Sequence, residues 1–190
     1  MRKLIVFENV SLDGYFTDAH DDMSWAHHRS GDDPEWNAFT AENASGESQL
    51  LFGRKTCELM VKYWPTPEAK EKDPEVAGGM NTLPKIVFSR TLTSVSWANT
   101  RVVSADPAAE VRKLKNEPGP VLVILGSGSI VAQLAHANLI DEYQSVLVPI
   151  FLGSGRTLVE GLDHRQPLQL TQSRAFSNGN VVLWHKRSSM

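Results

Sequence analysis

Val121-Leu122-Val123-Ile124-Leu125-Gly126-Ser127-Gly128-Ser129-Ile130 is the stretch that decides the fold. Five consecutive apolar residues read as a strand covered on both faces. Two glycines and two serines then interrupt it, and Ile130, Val131 and Leu134 resume with helical spacing over an expected helix at 129–137, with Asn138 near its end. A buried strand that runs through a glycine turn into a helix is the repeating unit of parallel sheets.

The same alternation extends outward in both directions. Strands are expected over 3–8, 49–52, 85–89, 101–104 and 142–150, and helices over 34–43 and 54–61. Pro34 behind Asp32-Asp33 suits a helix start, because the N–H that proline lacks is not needed there. Asp106 and Pro107, followed by Ala108, Val111 and Leu114, mark a capped amphipathic helix. Two final strands over 168–175 and 181–186 flank Ser177-Asn178-Gly179-Asn180, where Asn-Gly suits positive φ at both central turn positions of a closing antiparallel hairpin. The expected architecture is α/β, a mostly parallel central sheet with flanking helices and a C-terminal antiparallel hairpin, in one domain over 1–190. The Pro- and Gly-rich stretch 64–83 is expected as a long polar loop, either a flap over a ligand or a surface insertion.

Composition narrows the function classes. With 41% hydrophobic and 22% charged residues the chain is an ordinary globular sequence, and a net charge of -3 argues against nucleic acid or an anionic membrane as partner. The apolar runs 121–125 and 146–152 are too short to span a bilayer, and Glu8 and Asn9 cut off the N-terminal run before a signal peptide would be complete, so a cytoplasmic location is expected. Cys57 is the single cysteine, which excludes an intrachain disulfide; inside an expected helix it reads as a buried, inert thiol.

Three strand ends carry groups suited to anions. Leu51-Phe52-Gly53-Arg54-Lys55-Thr56 runs a strand into glycine, two cations and a hydroxyl at a helix start, where free N–H groups and the helix dipole favour negative charge. Gly126-Ser127-Gly128-Ser129, with Leu125 before it and Ile130 after it, repeats the theme with less charge. It is not the dinucleotide fingerprint of doubly wound folds, because the third glycine and the acid closing the next strand are missing. Ser89-Arg90 ends a third strand at the edge where open α/β sheets bind ligands. Each segment alone is also what a plain strand-to-helix turn with solvated charges requires; their convergence suggests one extended phosphate-bearing ligand.

With these residues the chain resembles the dihydrofolate reductase-like proteins related to the reductase domain of the bifunctional riboflavin biosynthesis protein. The resemblance is carried by Ser11-Leu12-Asp13-Gly14-Tyr15, by Asp22 with Trp25, and by 51–56, 85–92 and 125–158, which is nearly the whole chain in order. It implies an eight-stranded sheet, NADPH as cofactor and a homodimer. Gly53-Arg54-Lys55-Thr56 resembles the segment that holds the cofactor's phosphates, Ser89-Arg90 the adenosine-side contact, and Gly126-Ser127-Gly128-Ser129 the turn for the diphosphate. Two departures stand out: Ser127 replaces a glycine common in the family, and no acidic residue matches the one that assists pterin protonation. The chain also lacks the His-x-Glu and Pro-Cys-x-x-Cys pattern of a zinc deaminase.

On the substrate side Asp13, beside Gly14 after the first strand, is the candidate catalytic residue, to orient a substrate hydroxyl or to give a proton if burial raises its pKa. An aspartate bonded to its own turn is the plainer account. Val10, Gly14 and Trp25 are the other candidate substrate contacts, although Trp25 equally suits a place in the core. Arg156, after Gly153-Ser154-Gly155, can meet an anion or simply follow a turn that closes the sheet. His27-His28 and the pairs Asp21-Asp22 and Asp32-Asp33 lack ligand spacing, so no metal is assigned. Two functions follow: NADPH-dependent hydride transfer to a C=N or C=O bond of a small pyrimidine-, pterin- or sugar-linked substrate, of the kind 5-amino-6-(5-phosphoribosylamino)uracil reductase performs, or a dimeric non-catalytic small-molecule binder on the same fold.

Overall fold

The structure, a computed structural model, describes residues 1–27 and 33–188. Its strands are β1 (Leu4–Ser11), β2 (Tyr15–Asp18), β3 (Ser48–Gly53), β4 (Lys85–Phe88), β5 (Thr100–Val103), β6 (Val121–Leu125), β7 (Glu142–Val148), β8 (Gly155–Thr157), β9 (Leu168–Ala175) and β10 (Val181–Arg187). Its helices are α1 (Pro34–Ser45), α2 (Arg54–Tyr63), α3 (Pro67–Lys72), α4 (Pro74–Thr82), α5 (Pro107–Asn116) and α6 (Gly128–His136). Eight strands form one sheet in the order β5-β4-β3-β6-β1-β7-β10-β9, parallel except where β10 pairs antiparallel with β7 and β9. The expected sheet and hairpin are therefore present. A separate antiparallel ribbon, β2 with β8, was not legible in the sequence.

Alternate residues of each strand supply two core layers, as the pleat requires. Leu4, Val6, Leu51, Leu122 and Ile124 face α5 and α6 through Val111, Leu114, Val131 and Leu134. On the other face, one apolar cluster joins Trp25, Trp36 and Phe39 to Val146, Phe176 and Val182. A second surrounds Cys57 with Leu50, Phe52, Met80, Val87 and Trp97. Cys57 is buried and its thiol pKa is raised, chiefly by desolvation, as an inert thiol requires.

Helix starts follow the sequence signals. Asp33, Thr66 and Asp106 each accept from first-turn N–H groups with proline directly behind them. That rule also corrects the expectation of a long loop over 64–83. Pro67 and Pro74 are first-turn prolines of α3 and α4, not loop residues. Gly79 belongs to the packing of α4 on α1: a Cβ there would lie 2.1 Å from the Ala44 carbonyl oxygen. The hairpin turn is also one residue wider than Asn-Gly suggested. Only Gly179, at φ +90°, takes positive φ, while the Asn178 N–H is held by Asp33. Asp32 and His28 lie outside the described residues, as does the side chain of His27. Among the described residues no helix is long and apolar enough to cross a membrane.

Candidate functional site

The sheet order places the carboxyl ends of β4, β3, β6 and β1 side by side, so Ser89-Arg90, Gly53–Thr56, Gly126–Ser129 and Val10–Gly14 share one edge. Two helices begin there, α2 behind Gly53 and α6 behind Ser127, and neither N-cap side chain caps the first turn of its own helix. Their first-turn amides stay available to an anion. In α6 the Ile130 N–H already bonds the Ser127 carbonyl and the Ile130 side chain packs in the core, which leaves the N–H groups of buried Gly128 and exposed Ser129 as the first-turn donors.

The two turns are locked to each other. Ser127, in the left-handed region at φ +63°, accepts the Gly53 N–H at 2.8 Å and donates to Thr56 Oγ1 at 3.0 Å. Gly126, at φ +60°, leaves no room for a side chain, because a Cβ would meet Thr56 Cγ2 at 2.9 Å. The serine that departs from the family's glycine is thus the strut joining the β3 and β6 turns. Around the turns Arg54 makes a fork with Glu58 at 3.0 Å, Lys55 pairs with Asp21 at 3.2 Å, and Arg90 is exposed. Ser89 Oγ caps its own turn by accepting the N–H groups of Thr91 and Leu92. Leu125 is half-buried against the Cys57 cluster.

The ribbon of β2 and β8 lies over this edge. Phe16 is buried with its ring on Gly128, where an added Cβ would come within 2.4 Å of Cζ. Asp21 stands between Lys55 and Arg156, and Arg156 also reaches Glu160. Arg156 therefore serves the ribbon rather than an open turn.

Asp13 differs from the expected acid. Its carboxylate accepts Ser11 Oγ at 2.6 Å and the N–H groups of Leu152 and Gly153, clamping the loop after β1 to the turn after β7. The Ser11 hydroxyl and then those amides hold its pKa below the ordinary value, where a proton donor needs it raised. Gly14, at φ +92°, closes that turn, and Val10 is half-buried on β1 opposite Leu147. Trp25 is buried in the Trp36–Phe39 cluster with its indole N–H on the Asp22 carbonyl oxygen, so its ring offers no stacking face.

Sequence reasoning missed Glu8. Read as the polar end of a strand, it continues instead the inward phase of Leu4 and Val6 and is 3% exposed. The pairing of Phe7 with Leu125 sets it beside Gly126, and Oε2 has no hydrogen-bond partner. Desolvation pushes its pKa up to about 8, against smaller opposing effects of the Asn9 and Gly126 N–H groups. At neutral pH it is a neutral acid and puts no negative charge beneath the glycine turn. The period-two phase with Leu4 and Val6 is the signal that would have found it.

Comparison with known proteins agrees with this architecture. The chain is 28% identical over 186 residues to YyaP of Bacillus subtilis (strain 168), covering 97% of this chain and 95% of that protein. A putative riboflavin biosynthesis protein from Shewanella sp. PV-4 superposes with a TM-score of 0.72 at 21% identity, over 98% of this chain and 99% of the other. Dihydrofolate reductase from Enterococcus faecalis, complexed with NADP(H), superposes with a TM-score of 0.63 at 14% identity, over 98% and 97%. The fold is dihydrofolate reductase-like. The family described as the RibD C-terminal domain matches residues 2–182, and the chain belongs to that family.

Proposed function

We propose that the chain is a cytoplasmic NADPH-dependent reductase that transfers a hydride to a C=N or C=O bond of a small pyrimidine-, pterin- or sugar-linked substrate. The observation that carries this reading is the pair of uncapped helix N-termini behind Gly53 and Ser127, tied together by the Ser127 hydroxyl and flanked by Arg54, Lys55 and Arg90. Such a cradle fits a diphosphate with a further phosphate at its cationic flank. Membership of the RibD C-terminal domain family, and a fold shared with a reductase complexed with NADP(H), support it.

When bound, the cofactor supplies the hydride; the protein's share is position and exclusion of water. The Gly128 and Ser129 amides and the Gly53–Thr56 turn would hold the diphosphate, with Arg54 and Arg90 on the adenosine-side phosphate. Val10, Gly14 and Leu125 would border the nicotinamide and substrate. Asp13 and Trp25 would support that wall from behind, Asp13 by clamping the loop and Trp25 from the core. Phe16 would cover the diphosphate turn at Gly128 from the ribbon side. Neutral Glu8 leaves the Gly126 amide free of a competing carboxylate charge.

A homodimer is part of the proposal. β9 is an edge strand with one unpaired side, and its Leu168 and Leu170 are exposed. Titration with NADPH and with NADH, followed by nicotinamide fluorescence and calorimetry, tests the reading. At least tenfold tighter binding of NADPH is expected. No binding of either nucleotide, or equal binding of both, would overturn it.

A further inference from the structure

At the far end of α6 from the glycine cradle, about 12 Å along the helix by its rise per residue, a second cluster stands apart from the site described. His136, the last residue of α6, meets Asp163 and His164 from the segment that links β8 to β9. Asp163 Oδ1 lies 3.2 Å from His136 Nδ1 and 2.8 Å from His164 Nδ1, and one ligand atom from each residue falls within 4.8 Å of the other two. We propose that His136, Asp163 and His164 bind one divalent transition-metal ion of the zinc class, with its remaining position open to water.

Donor chemistry and spacing both support this. Two imidazole nitrogens and one carboxylate oxygen are the set zinc takes in sites that keep a position open, whereas calcium and magnesium seek oxygen ligands throughout. Ligands about 2.0–2.1 Å from a tetrahedral ion stand about 3.3 Å from one another. The two spacings to Asp163 already approach that value, and the third requires only a small rotation of an exposed ring. The rings of His136 and His164 meet edge to face at 5.6 Å, so both point into one small volume.

The scaffold behind the ligands is built. Gln166 donates from Nε2 to the Ala135 carbonyl oxygen at 2.5 Å and to Asn138 Oδ1 at 3.0 Å, and the same atom faces His164 Nε2 at 3.4 Å. The amide thus fixes the loop that carries His164 against the end of α6. A bound ion would pin the link between β8 and β9 onto α6.

The test uses the full chain. Calorimetric titration with zinc chloride and the visible absorption of added cobalt(II) should show one ion per chain in a tetrahedral field. His136→Ala and His164→Ala should each weaken zinc at least tenfold, and Asp163→Asn should weaken it too, while His20→Ala leaves it unchanged. Thermal melts without metal establish that each variant is folded, and zinc should raise the melting temperature of the parent only. No binding at micromolar zinc would overturn the proposal. So would binding that survives His136→Ala and His164→Ala, or that disappears equally in His20→Ala.

Discussion

Replacing Glu8 by glutamine should make the protein more resistant to unfolding in alkali while changing little in acid. The Glu8 pKa rises from 4.5 in the unfolded chain to about 8 in the fold, because the carboxyl is buried and Oε2 has no partner. At 1.36 kcal/mol per pKa unit that rise is worth about 5 kcal/mol. The sign follows from proton counting: between the two values the folded state keeps a proton that the unfolded chain has released. The contribution is therefore full below the unfolded pKa, erodes as pH climbs, and is gone once pH passes through about 8. Glutamine has the same shape, keeps an acceptor for the Asn9 N–H and never ionises.

The stability difference between Glu8→Gln and the parent should thus be near zero at pH 4.5 and favour the variant by about 5 kcal/mol at pH 8.5, a large part of an ordinary domain's stability. Urea unfolding at a series of pH values measures it directly. With a slope of about 2 kcal/mol per molar, the midpoints should separate by about 2.5 M at pH 8.5. Parallel pH profiles for the two proteins would refute the reasoning, since they would mean Glu8 ionises freely in the fold. NADPH affinity should follow the same group, weakening above pH 8 in the parent and not in the variant, because an ionised Glu8 sits beside the Gly126 amide.

Arg54→Ala should weaken NADPH by roughly 10- to 150-fold, from a lost charge-assisted hydrogen bond of about 1.5–3 kcal/mol, and leave NADH nearly unchanged; equal loss for both removes Arg54 from the phosphate. Glu58→Gln, which frees Arg54 from its fork, should tighten NADPH. Gly128→Ala drives a methyl group into the Phe16 ring and should cost about 1–3 kcal/mol in urea unfolding. Most of that cost should vanish in a Phe16→Ala background, and strict additivity would show that the two do not touch. Asp13→Asn should lower the melting temperature by loosening the turn at Leu152 and Gly153, without removing a limb from the pH profile of turnover. Loss of a limb would restore Asp13 as an acid. Because its folded pKa is depressed, the parent's advantage should be present above the unfolded pKa and fade as pH falls through the folded one.

The glycine-turn part of the edge was legible in the sequence because it is built locally. A strand, a glycine and a helix start are neighbours in the chain, so Gly53–Thr56 and Gly126–Ser129 announce both their shape and their free amides. What joins the two turns, the Ser127 hydroxyl reaching the Gly53 amide, is a contact between distant segments that no spacing displays. The same limit governs the packing of Gly79 on Ala44, whereas α3 carries a local start signal, Thr66 before Pro67, that reading the stretch as a loop passes over.

The surroundings of Asp13 and Glu8 were illegible for a deeper reason, since there the local signals point the wrong way. Asp13 sits where an acid is wanted, yet Ser11, Leu152 and Gly153 spend every useful lone pair on holding two loops together, and those bonds favour the anion. Glu8 reads as the polar end of a strand, yet the phase of β1 turns it inward beside Gly126, where burial favours the neutral acid. What decides the protonation state of each carboxyl is the set of groups that folding brings around it. Asp13 is surrounded by donors, whereas Glu8 is buried with only two backbone amides to oppose its desolvation. A proton-handling role on this edge therefore follows tertiary desolvation rather than loop position, which is why the titration of Glu8, and not of Asp13, is the one that should reach into cofactor binding.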